Sequence, residues 1–155
     1  MLSHVDSENN PGMVDVSNKG VTKRTALARS TVILTNEIMA LLENGEIKSK
    51  KGPVFQTAII AGTMAAKKTS DLIPLCHPIG LEDCKIKIYT NEKNEVIIDC
   101  ETTVSGKTGV EMEALIGASI AALTIYDMCK AMSHNIIIRE TMLIEKTGGK
   151  SDFRA

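Results

Sequence analysis

Aromatic residues are scarce in this chain, which has two Phe, two Tyr and no Trp among 155 residues. A hydrophobic core must therefore be aliphatic, since hydrophobic residues still make up 43% of the sequence and the length is that of one ordinary domain. An excess of one charge is also lacking, because the formal net charge is −1. That balance excludes a whole-molecule field attracting nucleic acid or a membrane, and we expect neither partner.

Long apolar segments and closely spaced cysteines are missing as well. The longest apolar run, residues 114–126, is interrupted by Gly117, Ser119 and Thr124, and is too short to span a bilayer. Residues 1–10 are polar and lack the layout of a signal peptide. The four cysteines match no zinc or redox spacing, which indicates free thiols in a reducing compartment. We therefore expect a cytoplasmic protein without a metal site.

Hydrophobic periodicity predicts a flexible N-terminal arm over residues 1–20, which have few apolar anchors, and one α+β domain over residues 21–155. The predicted elements are a strand at 21–34, a helix from Thr35 to Asn44-Gly45, a helix at 54–68, an irregular loop at 72–78, a hairpin of 83–91 and 95–104, a helix at 109–133 and a strand at 136–144. This order favours an antiparallel four-stranded sheet with helices packed on one face, a ferredoxin-like plan. Gly62 suggests a close contact between helices.

Two Gly-Lys pairs resemble the end of a phosphate-binding P-loop. They are Gly106-Lys107-Thr108 and Gly149-Lys150-Ser151. The glycine that a P-loop requires five residues earlier is replaced by Glu101 and Ile144. Neither segment is therefore a P-loop, and each is either a solvated lysine or a lysine beside backbone that an anion can approach closely.

The long predicted helix carries acids at both ends. Glu111 and Glu113 lie in its first turn, where simple stabilisation of the helix dipole is the alternative to a functional role. Asp127 and Lys130 are three residues apart, and a surface ion pair is their simple alternative. The apolar flank of Asp127 instead favours an acid with a function. Because Glu113 and Asp127 lie about 21 Å apart along the helix, one site that used both would require two subunits, and we predict a composite site at a subunit interface.

Two other side chains lie in conformationally restricted segments. His77 stands in a loop that contains two prolines, and acid–base and structural roles both remain open for it. Lys51 precedes Gly52-Pro53 at the start of a helix, where the dipole disfavours a cation. We therefore expect an anion to be held at that same helix N-terminus.

Seven blocks of the chain match the motifs of one known family. They are MVDV (13–16), Lys51-Gly52, AG (61–62) with AAKKT (65–69), DLIPLCHP (71–78), TGVEMEAL (108–115), ALTIYDMCK (122–130) and GGKS (148–151). Over nearly its whole length the chain resembles the cyclic pyranopterin monophosphate synthase family, also called the MoaC family, of molybdenum cofactor biosynthesis. It departs from that pattern at Pro53, at Ile59 where an arginine is usual, and after Ser151, where a glycine is missing.

The resemblance implies a lyase that converts 3′,8-cyclo-7,8-dihydroguanosine 5′-triphosphate to cyclic pyranopterin monophosphate and releases pyrophosphate by side-chain acid–base chemistry. It also implies a hexamer, a trimer of dimers, with the active site at the dimer interface. The sequence requires no cofactor, although Mg²⁺ can accompany a triphosphate. The two alternatives are a non-catalytic nucleotide sensor and an interaction module whose apolar helix drives oligomerisation.

The same resemblance assigns roles to individual residues by position. The implied catalytic residues are Asp127, Lys51, Lys130 and His77. The implied substrate-binding residues are Leu75, Cys76, His77, Met112, Glu113, Arg24, Asp15, Lys19, Glu111, Lys146 and Lys150. We expect these residues to lie together in the folded protein or its assembly.

Overall fold

The computed structural model describes residues 4–155, which form twelve short or long elements. In chain order they are β1 (Thr22–Ile33), α1 (Asn36–Met39), β2 (Leu42–Glu43), β3 (Glu46–Ser49), β4 (Gly52–Pro53), α2 (Val54–Ala66), α3 (Thr69–Leu72), β5 (Asp83–Thr90), β6 (Val96–Gly106), α4 (Glu111–Cys129), β7 (Ile137–Thr147) and β8 (Phe153–Arg154). The α+β class and each long predicted element are confirmed, with ends shifted by a few residues.

The main sheet has five strands in the order β5-β6-β1-β7-β8, and every pairing is antiparallel. The prediction of four strands was therefore wrong. The extra strand, β8, pairs Phe153 with Lys146 and Arg154 with Glu145 at the sheet edge. Two residues carry no detectable alternation of apolar and polar side chains, so periodicity cannot reveal such a strand.

The two long helices, α2 and α4, cover one face of this sheet. The side chains of Ala26, Ala28 and Val32 on β1 are buried beneath them, as strand alternation requires. By length and composition α4 is the one helix among residues 4–155 that could cross a membrane, but half of its most apolar window is buried. A helix that packs in this way is the core helix of the domain, and the core is aliphatic apart from Phe55.

Small residues bring α2 and α4 into close contact. A Cβ added to Gly62 would lie 2.7 Å from the Gly117 carbonyl oxygen, and one added to Gly117 would lie 2.5 Å from the Cys100 sulfur. The predicted helix contact at Gly62 is thus confirmed. The small residues of α4 make this contact inside the chain rather than across a two-fold axis.

The segment after β1 differs from the prediction. Thr35 caps α1 as expected, because its hydroxyl accepts the Ile38 amide at 3.4 Å. The helix ends at Met39, however, and Asn44-Gly45 forms the turn between β2 and β3 instead of a helix stop. Both residues have positive φ, 51° and 74°, which a two-residue hairpin turn requires. Because Asn44-Gly45 was interpreted as a helix end, the small sheet of β2, β3 and β4 was not predicted.

The predicted N-terminal arm is described from residue 4 onward, and its first three residues lie outside the described part of the chain. Val5 and Pro11 form an isolated bridge. Farther along, the side chains of Val14 and Val16 are half-buried while Asp15 between them is exposed. The arm thus turns alternate side chains toward the domain, and its flexibility stays a prediction.

Candidate active site

A cavity of about 440 Å³ opens at the N-terminal end of α4, and we call it the α4 N-terminal cavity. Its walls come from the arm, β1, the 73–80 loop, the first turn of α4 and the C-terminal tail. Ten of the substrate-binding and catalytic residues that the resemblance implied line it: Lys19, Arg24, Leu75, Cys76, His77, Glu111, Met112, Glu113, Lys146 and Lys150. Asp15 lies between two lining residues of the arm but is itself exposed.

The α4 N-terminal cavity is lined by more cationic than anionic side chains. Lys19, Arg24, Lys146 and Lys150 approach it from the arm, β1, β7 and the C-terminal tail. Lys146 pairs with Glu111 at 2.9 Å, which neutralises part of that charge. The remaining cations suit a ligand with several negative charges, such as a polyphosphate.

Glu113 is the one buried carboxylate among the described residues, with 3% of its surface exposed. Burial raises its pKa to about 7, the negative charge of Glu111 adds to the rise, and a hydrogen bond from its own amide opposes it. That amide hydrogen bond is a capping interaction, but capping alone does not require the acid to be buried. A carboxyl group that titrates near neutrality can both donate and accept a proton at physiological pH.

Cys76 also lines the cavity, close enough to Glu113 to respond to its charge. Burial raises the pKa of the Cys76 thiol, and the Glu113 carboxylate raises it further. A thiol in such surroundings stays protonated and is a weak nucleophile. Cys76 therefore contributes shape and a polarisable surface to the cavity rather than a thiolate.

His77 is held by the N-terminal arm. Its Nε2 atom lies 2.7 Å from the Val14 carbonyl oxygen. A carbonyl oxygen can only accept a hydrogen bond, so Nε2 must carry the proton. Nδ1 is thus the ring nitrogen left for chemistry with a ligand in the cavity.

The other implied catalytic residues form a separate group, the lysine–aspartate cluster, made of Lys51, Asp127 and Lys130. Lys51 Nζ lies 2.8 Å from Asp127 Oδ2, and Lys130 Nζ lies 2.9 Å from Asp127 Oδ1. Hydrogen bonds from Lys51 and then Lys130 lower the pKa of Asp127 to about 2. The hydrogen bond to Asp127 raises the pKa of Lys130.

Asp127 is less buried than its apolar flank suggested. Half of its side chain is exposed, as is half of the Lys130 side chain. The ion pair three residues apart, which the flank seemed to exclude, is therefore present. Its exposure follows from the face of α4 on which it lies, since Ile125, Met128 and Cys129 on the other side of the same last turn are buried.

The anion at the N-terminus of α2 is not a ligand but Glu46. Its Oε1 accepts the Phe55 amide at 2.8 Å, and its Oε2 accepts the Gln56 amide at 3.0 Å. The expectation that Lys51 accompanies an anion bound at this helix end is therefore corrected. Glu46 caps the helix, and Lys51 turns away to pair with Asp127.

Within one protomer the cavity and the lysine–aspartate cluster do not meet. Glu113 and Asp127 are separated by 14 residues of α4, or about 21 Å along its axis. Lys51 instead lines a second cavity of about 540 Å³ with Lys48, Lys50 and Met132. The implied site residues thus form two groups at opposite ends of one helix.

Some residues of the site had no signal in the sequence. Val14 and Val16 line the cavity from the arm, and Thr108 and Gly109 line it from the loop before α4. All four lie inside the motifs matched above, but nothing in their residue types indicates a wall of a cavity. Among residues 4–155, no group of three or more His, Cys, Asp and Glu side chains is placed to hold a metal ion.

Comparisons with known proteins identify the family of the chain. The model of the MoaC family matches residues 13–149. Molybdenum cofactor biosynthesis protein 1 of Dictyostelium discoideum is 52% identical over 97% of this chain, and a molybdenum cofactor biosynthesis bifunctional protein of Synechocystis is 53% identical over 98% of it. This chain spans only 26% and 45% of the length of those two relatives.

A third relative is close to this chain in length. The cyclic pyranopterin monophosphate synthase of Lysinibacillus sphaericus is 52% identical over 97% of this chain and 94% of its own. The match thus covers nearly the whole of one relative as well as parts of longer ones. The chain belongs to the MoaC family.

Proposed function

We propose that this protein is a cyclic pyranopterin monophosphate synthase, a lyase of an early step in molybdenum cofactor biosynthesis. Its substrate is 3′,8-cyclo-7,8-dihydroguanosine 5′-triphosphate, and its products are cyclic pyranopterin monophosphate and pyrophosphate. The observation that carries the proposal is the cavity lined by Lys19, Arg24, Lys146 and Lys150 beside a buried acid, in a chain similar to a named synthase over nearly its full length.

The charges suit such a substrate. The cations bind the triphosphate, and they stabilise the charge that develops on pyrophosphate as it leaves. Glu113, whose pKa is near 7, moves protons on the base and ribose portion. His77 contributes through Nδ1, because Nε2 is committed to the Val14 carbonyl.

The lysine–aspartate cluster supplies further proton transfers. Asp127, with a pKa of about 2, stays ionised and acts as an acceptor and an orienting group. Lys130, whose pKa is raised, enters the reaction as the ammonium ion and therefore as an acid. Each positioned proton transfer accelerates its step by about 10²–10⁴-fold.

The two groups form one active site across a subunit interface in this proposal. The length of α4 keeps them about 21 Å apart within a protomer, so the lysine–aspartate cluster of one subunit faces the α4 N-terminal cavity of its neighbour. A trimer of dimers supplies such interfaces. The proposal includes a cytoplasmic location and a ferredoxin-like fold, which the sheet order β5-β6-β1-β7 supports. Any Mg²⁺ enters with the triphosphate rather than on a protein site of its own.

The decisive experiment mixes the purified protein with the cyclised dihydro-GTP and measures pyrophosphate and the pterin product. The parent is expected to form both, whereas Lys51→Ala and Asp127→Asn fold but do not. Lys93→Ala, in an exposed turn between β5 and β6, is the matched control and keeps full activity. A parent that binds the nucleotide without turnover would support a sensor and contradict the enzyme.

A mixing experiment tests the shared site. Two inactive variants, Glu113→Ala and Asp127→Ala, are combined in one oligomer, so that some interfaces carry both intact halves. Partial recovery of pyrophosphate release is expected. Confirmed mixed oligomers that stay inactive would show that the halves do not cooperate across subunits.

A further inference from the structure

Lys107 belongs to a motif that the proposed function leaves unused, the Gly106-Lys107-Thr108 segment at the end of β6. Its side chain is half-buried and does not line the α4 N-terminal cavity. Its Nζ atom instead donates a hydrogen bond of 2.9 Å to the Ser17 carbonyl oxygen. The lysine that resembled part of a P-loop thus holds protein backbone.

The bond matters because the arm has few other attachments. Among the described residues, only two hydrogen bonds join residues 4–20 to the rest of the chain. One is the bond from Lys107 to Ser17, and the other is the bond from His77 to Val14. The remaining hydrogen bonds of the arm, such as that from the Lys19 amide to the Val16 carbonyl, stay within it.

The same stretch of arm forms a wall of the cavity. Val14, Val16 and Lys19 all line it, and they lie on either side of the carbonyl that Lys107 holds. Val16 also lines a smaller cavity of about 380 Å³, whose other walls come from residues 77–80 and 104–108 of the domain. None of residues 4–20 is buried, so the packing of the arm is shallow and the two hydrogen bonds carry much of its attachment.

We propose that Lys107 is a positioning residue that closes residues 13–19 over the α4 N-terminal cavity. By fixing the Ser17 carbonyl it places Lys19 beside the bound anion and keeps the Val14 carbonyl against His77 Nε2. Lys107 itself touches no substrate. The kinetic part of this inference rests on the proposed function, whereas the structural part does not.

The test removes the ammonium group but keeps the length of the side chain. In Lys107→Met the arm opens more often, because the hydrogen bond to the Ser17 carbonyl oxygen is lost. Tryptic cleavage after Lys19, measured by mass spectrometry, should accelerate about three- to tenfold, since its rate follows the population of the open arm. Lys107→Arg retains a donor and should restore slow cleavage. Lys93→Met, far from the arm in the β5–β6 turn, serves as the control.

Kinetics then separate positioning from direct contact. Because substrate binds the closed arm, Lys107→Met should raise KM by no more than the factor by which it accelerates tryptic cleavage. The kcat at saturating substrate should stay at the parental value. A KM that rises while cleavage stays at the parental rate would mean that Lys107 contacts the substrate, and would overturn the inference. Unchanged cleavage with unchanged KM would overturn it too. A parent without turnover contradicts the proposed function alone, since the cleavage assay needs no substrate.

Discussion

Replacement of the buried acid Glu113 by Gln tests how strongly the α4 N-terminal cavity is desolvated. The side chain is 3% exposed, and its charged form has no cationic partner among the groups that shift its pKa. Gln has nearly the same shape but cannot ionise. The substitution therefore removes the cost of burying a negative charge and leaves the packing almost unchanged.

The sign of the effect follows from proton linkage. The folded pKa of Glu113 is about 7 and its ordinary value is 4.5. Between these two values the folded chain binds a proton that the unfolded chain releases, so the parent loses stability as the pH rises. With about 1.4 kcal/mol for each pKa unit, the loss between pH 5 and pH 8 amounts to about 2–3 kcal/mol.

The assay is urea-induced unfolding of the parent and of Glu113→Gln at both pH values, at one fixed protein concentration. The variant should be nearly as stable as the parent at pH 5 and more stable by about 2–3 kcal/mol at pH 8. Glu92→Gln is the control, because Glu92 is exposed in the turn between β5 and β6. It should follow the parent at both pH values.

A difference between variant and parent that does not change with pH would refute the reasoning. It would mean that the Glu113 carboxylate is solvated or paired in solution. Glu113 would then titrate with ordinary acids, and its role as a proton carrier near neutral pH would be lost with it. The inverse result, a parent that gains stability as the pH rises, would require a cation close to this carboxylate.

Three other predictions concern the supports of the site. Gly117→Ala places a methyl group 2.5 Å from the Cys100 sulfur on β6. It should lower the free energy of unfolding by about 1–3 kcal/mol despite the better helix propensity of Ala. Thermal unfolding measures this, and a stabilised variant would contradict the close contact. Glu46→Gln removes the charge at the start of α2, so stability should fall by about 1 kcal/mol, as urea unfolding would show; unchanged stability would contradict the cap. Asp127→Asn should lower the pKa of Lys130 toward its ordinary value, so that acylation of Lys130 at pH 8 becomes faster; an unchanged rate would contradict the ion pair.

The long elements could be predicted from the sequence because their patterns extend over many residues. In β1 the side chains of Ala26, Ala28, Ser30 and Val32 lie on one face, and all four are buried. The pairing of β5 with β6 followed from the turn at 91–94, where Asn94 has a φ of 57°. Such patterns depend only on the chain itself and on burial of one face.

The short elements could not be predicted, since their stability comes from contacts distant in the chain. Asn44-Gly45 suits both a helix end and a hairpin turn. What decides between them is Glu46, whose carboxylate binds two amides of α2 and so fixes β3 beside that helix. Likewise β8 exists only because β7 offers it an edge.

The candidate site shows the same division. The family motifs supplied the candidate site residues. Their division into two groups followed from the length of α4. Sequence spacing already gave that length, so the separation of Glu113 from Asp127 could be predicted. The burial of Glu113 and the hydrogen bond from His77 to the arm could not be predicted, because each depends on contacts between segments that are distant in the sequence.

The reason for two groups at the ends of α4 lies in its middle. Gly117, Ala118 and Ala121 are buried against α2 and the sheet, and a polar side chain at these positions would separate the layers. The buried face of α4 therefore has room for functional polar side chains only in its first and last turns. In the proposed synthase each end is then half of a site, and only an assembly that sets the first turn of one α4 against the last turn of another completes it.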